Sequence, residues 1–214
     1  MEFISDNLLN YCENFSEPES ELLRELNRQT NLKIGQPRML SGHLQGRFLS
    51  LLSKLKQPLN ILEIGTYTGY SALCLAEGLS EKGKLVTIDP NEETNLFAQS
   101  FINKSELKDK IELITGDAQK IIPTLKQRWD LVFLDADKKN YSVYFDLIID
   151  QANPGALIIA DNVLWSGKVL NSEKDKDTLA IHDFNDKINK DPRIENLLLP
   201  VRDGLMIMRK SAGK

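Results

Sequence analysis

Apolar residues change their spacing once along the chain, close to Pro58. Upstream, Ile4, Leu8, Leu9, Cys12 and Phe15 recur every three or four positions, as do Leu22, Leu23 and Leu26 beyond Pro18, and then Leu44, Phe48, Leu49, Leu51, Leu52 and Leu55. That period lines apolar side chains along one stripe of a helix. It predicts two short amphipathic helices, a loop over 31–42 punctuated by Gly35, Pro37 and Gly42, and a third helix ending near Pro58. Downstream, short apolar runs alternate with helical patterns. The predicted strands are 59–63, 84–89, 110–115, 129–135 and 155–160, and the predicted helices 70–80, 92–104, 118–126, 140–151 and 177–190. The chain closes with 194–199 and 205–209 around a Pro200–Gly204 turn, an antiparallel hairpin.

This alternation belongs to an α/β fold: a doubly wound, Rossmann-like, mostly parallel sheet with helices on both faces and the hairpin on its edge. A length of 214 residues with 41% hydrophobic content suits one large core. We therefore expect one domain over 1–214, with 1–57 a helical cap and 58–214 the core. The net charge is −4 and no run of Lys or Arg exceeds two, so no polyanion-binding surface stands out. Cys12 and Cys74 lie outside any C-x-x-C pair and read as buried thiols in a reducing compartment. The acidic Met1–Asp6 segment does not resemble a leader, and no apolar run approaches a membrane span. A soluble, cytoplasmic protein is expected.

Candidate chemistry gathers where predicted strands end. Leu59–Ile64 runs into Gly65-Thr66-Tyr67-Thr68-Gly69 and then a helical pattern. Such a glycine turn at the C-terminal edge of a parallel sheet is where nucleotides bind. It lacks the second glycine of the G-x-G-x-x-G fingerprint, which admits a pyrophosphate, and Glu63 beside it repels phosphate while suiting a cation or hydroxyls. A phosphate-free nucleoside fits better. Asp89, 24 positions beyond Gly65, stands where such sheets place an acid on ribose hydroxyls, or else caps the following helix. Asp117-Ala118 would lie over the adenine, Asp117 accepting from its exocyclic amine.

Two later strands end in hard oxygen donors, Asp135 after Leu131–Leu134 and Asp161-Asn162 after Ala156–Ala160. Two carboxylates and an amide carbonyl suit Mg²⁺ or Ca²⁺ better than Zn²⁺. Lys138, three residues past Asp135, reaches the same place, and a substrate oxyanion between it and the cation would reconcile their charges. His43 and His182 have no partner spacing and read as surface or helix-packing residues.

Three ordered motifs, Leu62–Ser71, Asp135–Lys138 and Asp161–Leu164, together resemble the cation-dependent O-methyltransferases that include caffeoyl-CoA and catechol O-methyltransferases. The resemblance runs from about Met39 to the Asp203-Gly204 turn. It implies a class I methyltransferase sheet and an enzyme that moves a methyl group from S-adenosylmethionine to a hydroxyl of a catechol-like small molecule. It implies cofactor contacts at Glu63, Gly65, Thr66, Ser71, Asp89 and Ala118 and, by a looser match, Ser41; Asp117 and Asp135 on the same rim are expected to join them. It further implies a divalent cation, Mg²⁺ before Ca²⁺ or Mn²⁺, on Asp135, Asp161 and Asn162, with Lys138 as the catalytic base. A homodimer through the apolar N-terminal helices is expected as well. Two alternatives stand beside this: methylation of a hydroxylated uridine in transfer RNA, and a catalytically silent S-adenosylmethionine-binding module, against which the intact Asp135, Lys138, Asp161 and Asn162 argue. The 31–42 loop and the 164–177 insert carry no recognisable feature for coenzyme A.

Overall fold

The computed structural model describes residues 4–212, so the first half of the Met1–Asp6 segment lies outside the described residues. Three helices lead, α1 (Asp6–Asn14), α2 (Glu21–Lys33) and α3 (Gly42–Lys56). The alternating part follows as β1 (Asn60–Ile64), α4 (Tyr70–Ala76), β2 (Lys84–Asp89), α5 (Glu92–Ile102), β3 (Ile111–Thr115), α6 (Ala118–Ile121), β4 (Trp129–Leu134), α7 (Tyr141–Ile149), β5 (Ala152–Asp161) and α8 (Lys176–Lys190). A hairpin of β6 (Ile194–Leu199) and β7 (Leu205–Lys210) completes it.

The seven strands form one sheet in the order β3-β2-β1-β4-β5-β7-β6. Its first five are parallel, while β7 pairs antiparallel with β5 and leaves β6 at the edge. The winding reverses between β1 and β4, and a crevice opens at the C-terminal ends of strands at such a reversal. Residues along each strand alternate between two faces. Leu62, Ile64, Val132, Leu134, Ile158 and Ala160 pack toward α7 and α8. Ile61, Leu85, Leu131, Phe133 and Ile159 pack toward Leu49 of α3, α4 and α5. The third helix thus packs into the core on this face of the sheet.

Several boundaries differ from those predicted. The helix expected over 70–80 stops at Ala76, because the Ser53 hydroxyl of α3 donates to the Leu75 carbonyl at 2.6 Å and Gly78 lies against the α3 backbone. The helix expected over 118–126 gives way after Ile121 to a single 3-10 turn containing Pro123, which lacks the N–H needed to continue. The loop expected over 31–42 yields its first three residues to α2 and forms a 3-10 turn over Pro37–Met39. The strand expected over 155–160 begins at Ala152, through a register shift opposite Trp129–Leu131 that accommodates Pro154 and Gly155. Cys74 is buried as expected, whereas Cys12 is exposed on α1. Among the described residues no helix is long and apolar enough to cross a membrane.

Candidate active site

At the winding reversal, the loops leaving β1 and β4 touch. The Asp135 amide donates to the Ile64 carbonyl at 2.9 Å, and Gly65 has φ +101°. A Cβ at Gly65 would fall on the Asp135 backbone carbonyl, so only glycine allows this approach. The turn continues through Tyr67 at φ 48° to Gly69, the N-cap of α4 at φ 85°.

Asp89, ending β2, anchors that turn. Its Oδ2 accepts from the amides of Thr66 at 3.1 Å and Tyr67 at 3.0 Å, and its Oδ1 from that of Asn91 at 2.9 Å. The alternative role as a helix cap falls to Asn91, whose side chain accepts from Glu93 and Thr94. Glu63, the last residue of the predicted strand, lies one residue short of the end of β1 at Ile64 and is fully buried. Its Oε2 accepts from the Thr87 hydroxyl at 2.5 Å, and Thr87 also shares a hydrogen bond with the Thr66 hydroxyl. No well-formed hydrogen bond reaches Oε1. Burial pushes this carboxyl up to about 8, Ser71 and Thr87 opposing the shift and the charges of Asp135 and Asp89 adding to it. Ser41 is buried at the start of α3. Asp117 caps α6, accepting from the Gln119 amide at 3.0 Å, with Ala118 buried beside it.

The second half of the rim lies across the reversal, at the ends of β4 and β5. Asp161 is 4% exposed. Its Oδ1 accepts from the Asn162 amide at 2.7 Å and its Oδ2 from the Gln45 side chain at 2.6 Å. Burial, then the charge of Asp135, raises its pKa to about 6, with Gln45, Lys138 and Arg202 acting in the other direction. Asn162 adopts left-handed backbone at φ 60°. Among the described residues no three His, Cys, Asp or Glu side chains gather as a metal cluster. The donor set here is two carboxylates that repel each other and a neighbouring amide, all hard oxygen donors, and a divalent cation suits it.

Lys138 opens a 3-10 turn that folds its side chain back over the rim. Its Nζ donates to Asp135 Oδ1 and to the Tyr141 hydroxyl, each at 2.8 Å. Tyr141 is buried, and its hydroxyl reaches the carbonyls of Leu134 at 3.2 Å and Asp161 at 3.0 Å, fastening the ends of β4 and β5 together. Burial and then the charges of Asp135, Asp161 and Asp137 drive its pKa far above the usual phenol value, so it stays a hydroxyl. His43 contacts the Glu17 carbonyl and His182 is exposed, both away from the rim residues.

Sequence reasoning missed Thr87, Gln45, Tyr141 and Arg202. Thr87 and Gln45 left a signal, each being a polar residue at an apolar-stripe position. Arg202, in the hairpin turn, and Tyr141, at a helix start, left none.

Sheet order, glycine turn and acid-lined rim define a Rossmann-like methyltransferase. A Bacillus cereus O-methyltransferase solved in complex with SAH superposes with a TM-score of 0.89 at 32% identity, covering 96% of this chain and 97% of the other. The SAH-bound methyltransferase of Podospora anserina gives 0.89 at 30% identity, covering 96% and 94%. The chain belongs to the O-methyltransferase family, whose model matches residues 13–211, and is an S-adenosylmethionine-dependent O-methyltransferase. It is 37% identical over 207 residues to caffeoyl-CoA O-methyltransferase 5 of Nicotiana tabacum, covering 91% of this chain and 85% of the relative. It is 39% identical over 142 residues to the catechol O-methyltransferase of Niastella koreensis, covering 64% of each.

Proposed function

We propose that this enzyme methylates one of two adjacent hydroxyls on a catechol-type small molecule and requires a divalent cation, Mg²⁺ first, to do so. The observation that carries the reading is the convergence of Asp135, Asp161, Asn162 and Lys138 on two neighbouring strand ends, beside the glycine turn. Asp135, Asp161 and Asn162 would hold the cation. Ser41, Glu63, Gly65, Thr66, Ser71, Asp89, Asp117, Ala118 and Asp135 would hold S-adenosylmethionine, and the unpaired Oε1 of buried Glu63 suits a ligand that donates hydrogen bonds. When bound, the cofactor supplies an electrophilic methyl group and the cation acidifies the hydroxyls it touches.

Lys138 Nζ, acting as the neutral amine, takes the proton of the hydroxyl to be methylated and becomes the ammonium. Tyr141 and Asp135 hold that nitrogen at the rim, and Tyr141 ties it to the strand end that carries Asp161. Because both halves of the site stand on strand ends, donor and acceptor are held in a fixed relation, the main source of acceleration for a single displacement. The tobacco and Niastella relatives favour a small acceptor over transfer RNA. The proposal extends to a cytoplasmic homodimer, supported by two free cysteines and by apolar side chains exposed on α1 and α3.

Labelled methyl transfer to catechol tests the reading. Transfer is expected with Mg²⁺, lost in EDTA and restored by excess Mg²⁺, with phenol a poor acceptor. Lys138→Ala is expected to lower kcat by roughly 10²–10⁴, with partial recovery at high pH and Mg²⁺ affinity unchanged or higher. Full activity in EDTA would overturn the metal requirement, and full activity of Lys138→Ala at neutral pH would overturn its role as base.

A further inference from the structure

Gln45 lies on α3, 116 residues before Asp161, and is 1% exposed. Its two amide atoms are committed in opposite directions. Nε2 donates to Asp161 Oδ2 at 2.6 Å, and Oε1 accepts from Arg202 Nη1 at 2.7 Å. A guanidinium has donors only, so the amide oxygen must face Arg202 and the NH₂ must face Asp161. Arg202 is itself held, since it donates to the carbonyls of Ser41 and Leu40. Its hairpin turn is fastened to the end of β5, where the amides of Val163 and Leu164 donate to the carbonyls of Gly204 at 3.1 Å and Asp203 at 2.9 Å.

We infer that Gln45 is a positioning residue for the metal site, locked by Arg202 so that it holds the Asp161 carboxylate in one orientation; this rests on the reading of Asp161 as a cation ligand. The Asn162 amide takes one Asp161 oxygen and Gln45 the other, which fixes the plane of the carboxylate. Each oxygen keeps a lone pair for a cation. Without Gln45 the carboxylate would turn about its side-chain bonds, and the Arg202 guanidinium would keep only its carbonyl acceptors on Ser41 and Leu40. Outer partners of this kind tune metal affinity by orienting a ligand they do not replace. The assignment also gives the C-terminal hairpin a part in the active site: its Arg202 reaches across to α3 and sets the amide that sets the ligand.

The test is Mn²⁺ binding to the full chain without substrate, followed by electron paramagnetic resonance of free Mn²⁺, with thermal melting as the check on folding. Gln45→Met keeps the length and removes no charge, and it is expected to weaken Mn²⁺ binding by roughly 10- to 100-fold. Arg202→Met is the second variant. Removing a positive charge near Asp161 would by itself tighten cation binding, so a weakening there reports lost orientation of Gln45 and not electrostatics. Asp161→Asn is the control that separates the two ideas. If it loses Mn²⁺ while Gln45→Met and Arg202→Met bind as wild type, the positioning role is overturned and the metal reading survives. If Asp161→Asn itself binds Mn²⁺ as wild type, the metal reading fails and the inference with it.

Discussion

Glu63 holds its carboxyl where water cannot reach it. It sits on the α4 face of the sheet, opposite Thr87 in register, with one oxygen hydrogen-bonded and the other not. Burial raises its pKa to about 8, so the folded protein holds this proton more tightly than the unfolded chain, where a glutamate titrates near about 4.3. The sign follows from linkage: where the native state binds more protons, stability falls as pH rises, here from the unfolded value through about 8. Glu63→Gln removes that titration. The variant is therefore expected to gain stability relative to wild type between pH 5 and pH 8.5, on the order of a few kcal/mol at the upper end, while binding S-adenosylmethionine more weakly. Melting temperatures of both proteins across that range check this. A difference between them that does not change with pH would mean that Glu63 is not the group responsible.

At the scale of elements, the site is a property of strand ends. The loop after β1 and the loop after β4 meet at the winding reversal, and Gly65 is the residue that lets them close. Gly65→Ala meets two obstacles, a φ of +101° and the Asp135 carbonyl where its Cβ would stand. We expect a loss of roughly 2–4 kcal/mol in stability and a large loss of cofactor affinity as the loops separate. Gly35→Ala, where an added Cβ meets nothing, is expected to change stability by less than about 0.5 kcal/mol. Chemical denaturation and SAH titration of the two variants provide the measurement, and equal effects at both positions would refute the account. Elements also hold one another in place here. Tyr141 of α7 joins β4 to β5, and Ser53 of α3 ends α4, so the sheet's rim and the helices behind it share their fastenings.

Across the whole molecule, the exposed large apolar side chains include Tyr11 and Phe15 on or beside α1, which stack with centroids 4.5 Å apart, and Leu51 and Leu55 on α3. All four are more than half exposed. Exposed apolar surface is what a protein partner would cover, and the proposed dimer would use these side chains. We expect sedimentation velocity at micromolar concentration to give the mass of a dimer, and Tyr11→Glu combined with Leu55→Glu to give a monomer that still melts cooperatively. A wild-type chain that sediments as a monomer would remove the dimer from the proposal.

Much of this protein was legible before any fold was known, because the relevant physics is local. Alternation at period two and at three to four residues is a backbone property, so the order of strands and helices, the parallel sheet with its terminal hairpin, and the glycine turn all followed from spacing. Acids at the ends of apolar runs announced the rim for the same reason, since Asp89, Asp135 and Asp161 need no distant residue to be placed at a strand end. What local pattern could not supply were the lengths of α4, α6 and β5, which depend on packing against α3, on a proline's missing donor and on a register shift. Nor could it supply the partners of the rim. Gln45 and Arg202 are 157 residues apart and meet only because α3 and the hairpin turn lie against the same strand end. Spacing along the chain carries periodicity and turn chemistry; the orientation of Asp161, the placement of Lys138 by Tyr141 and the burial that shifts Glu63 arise only when distant segments exclude water together.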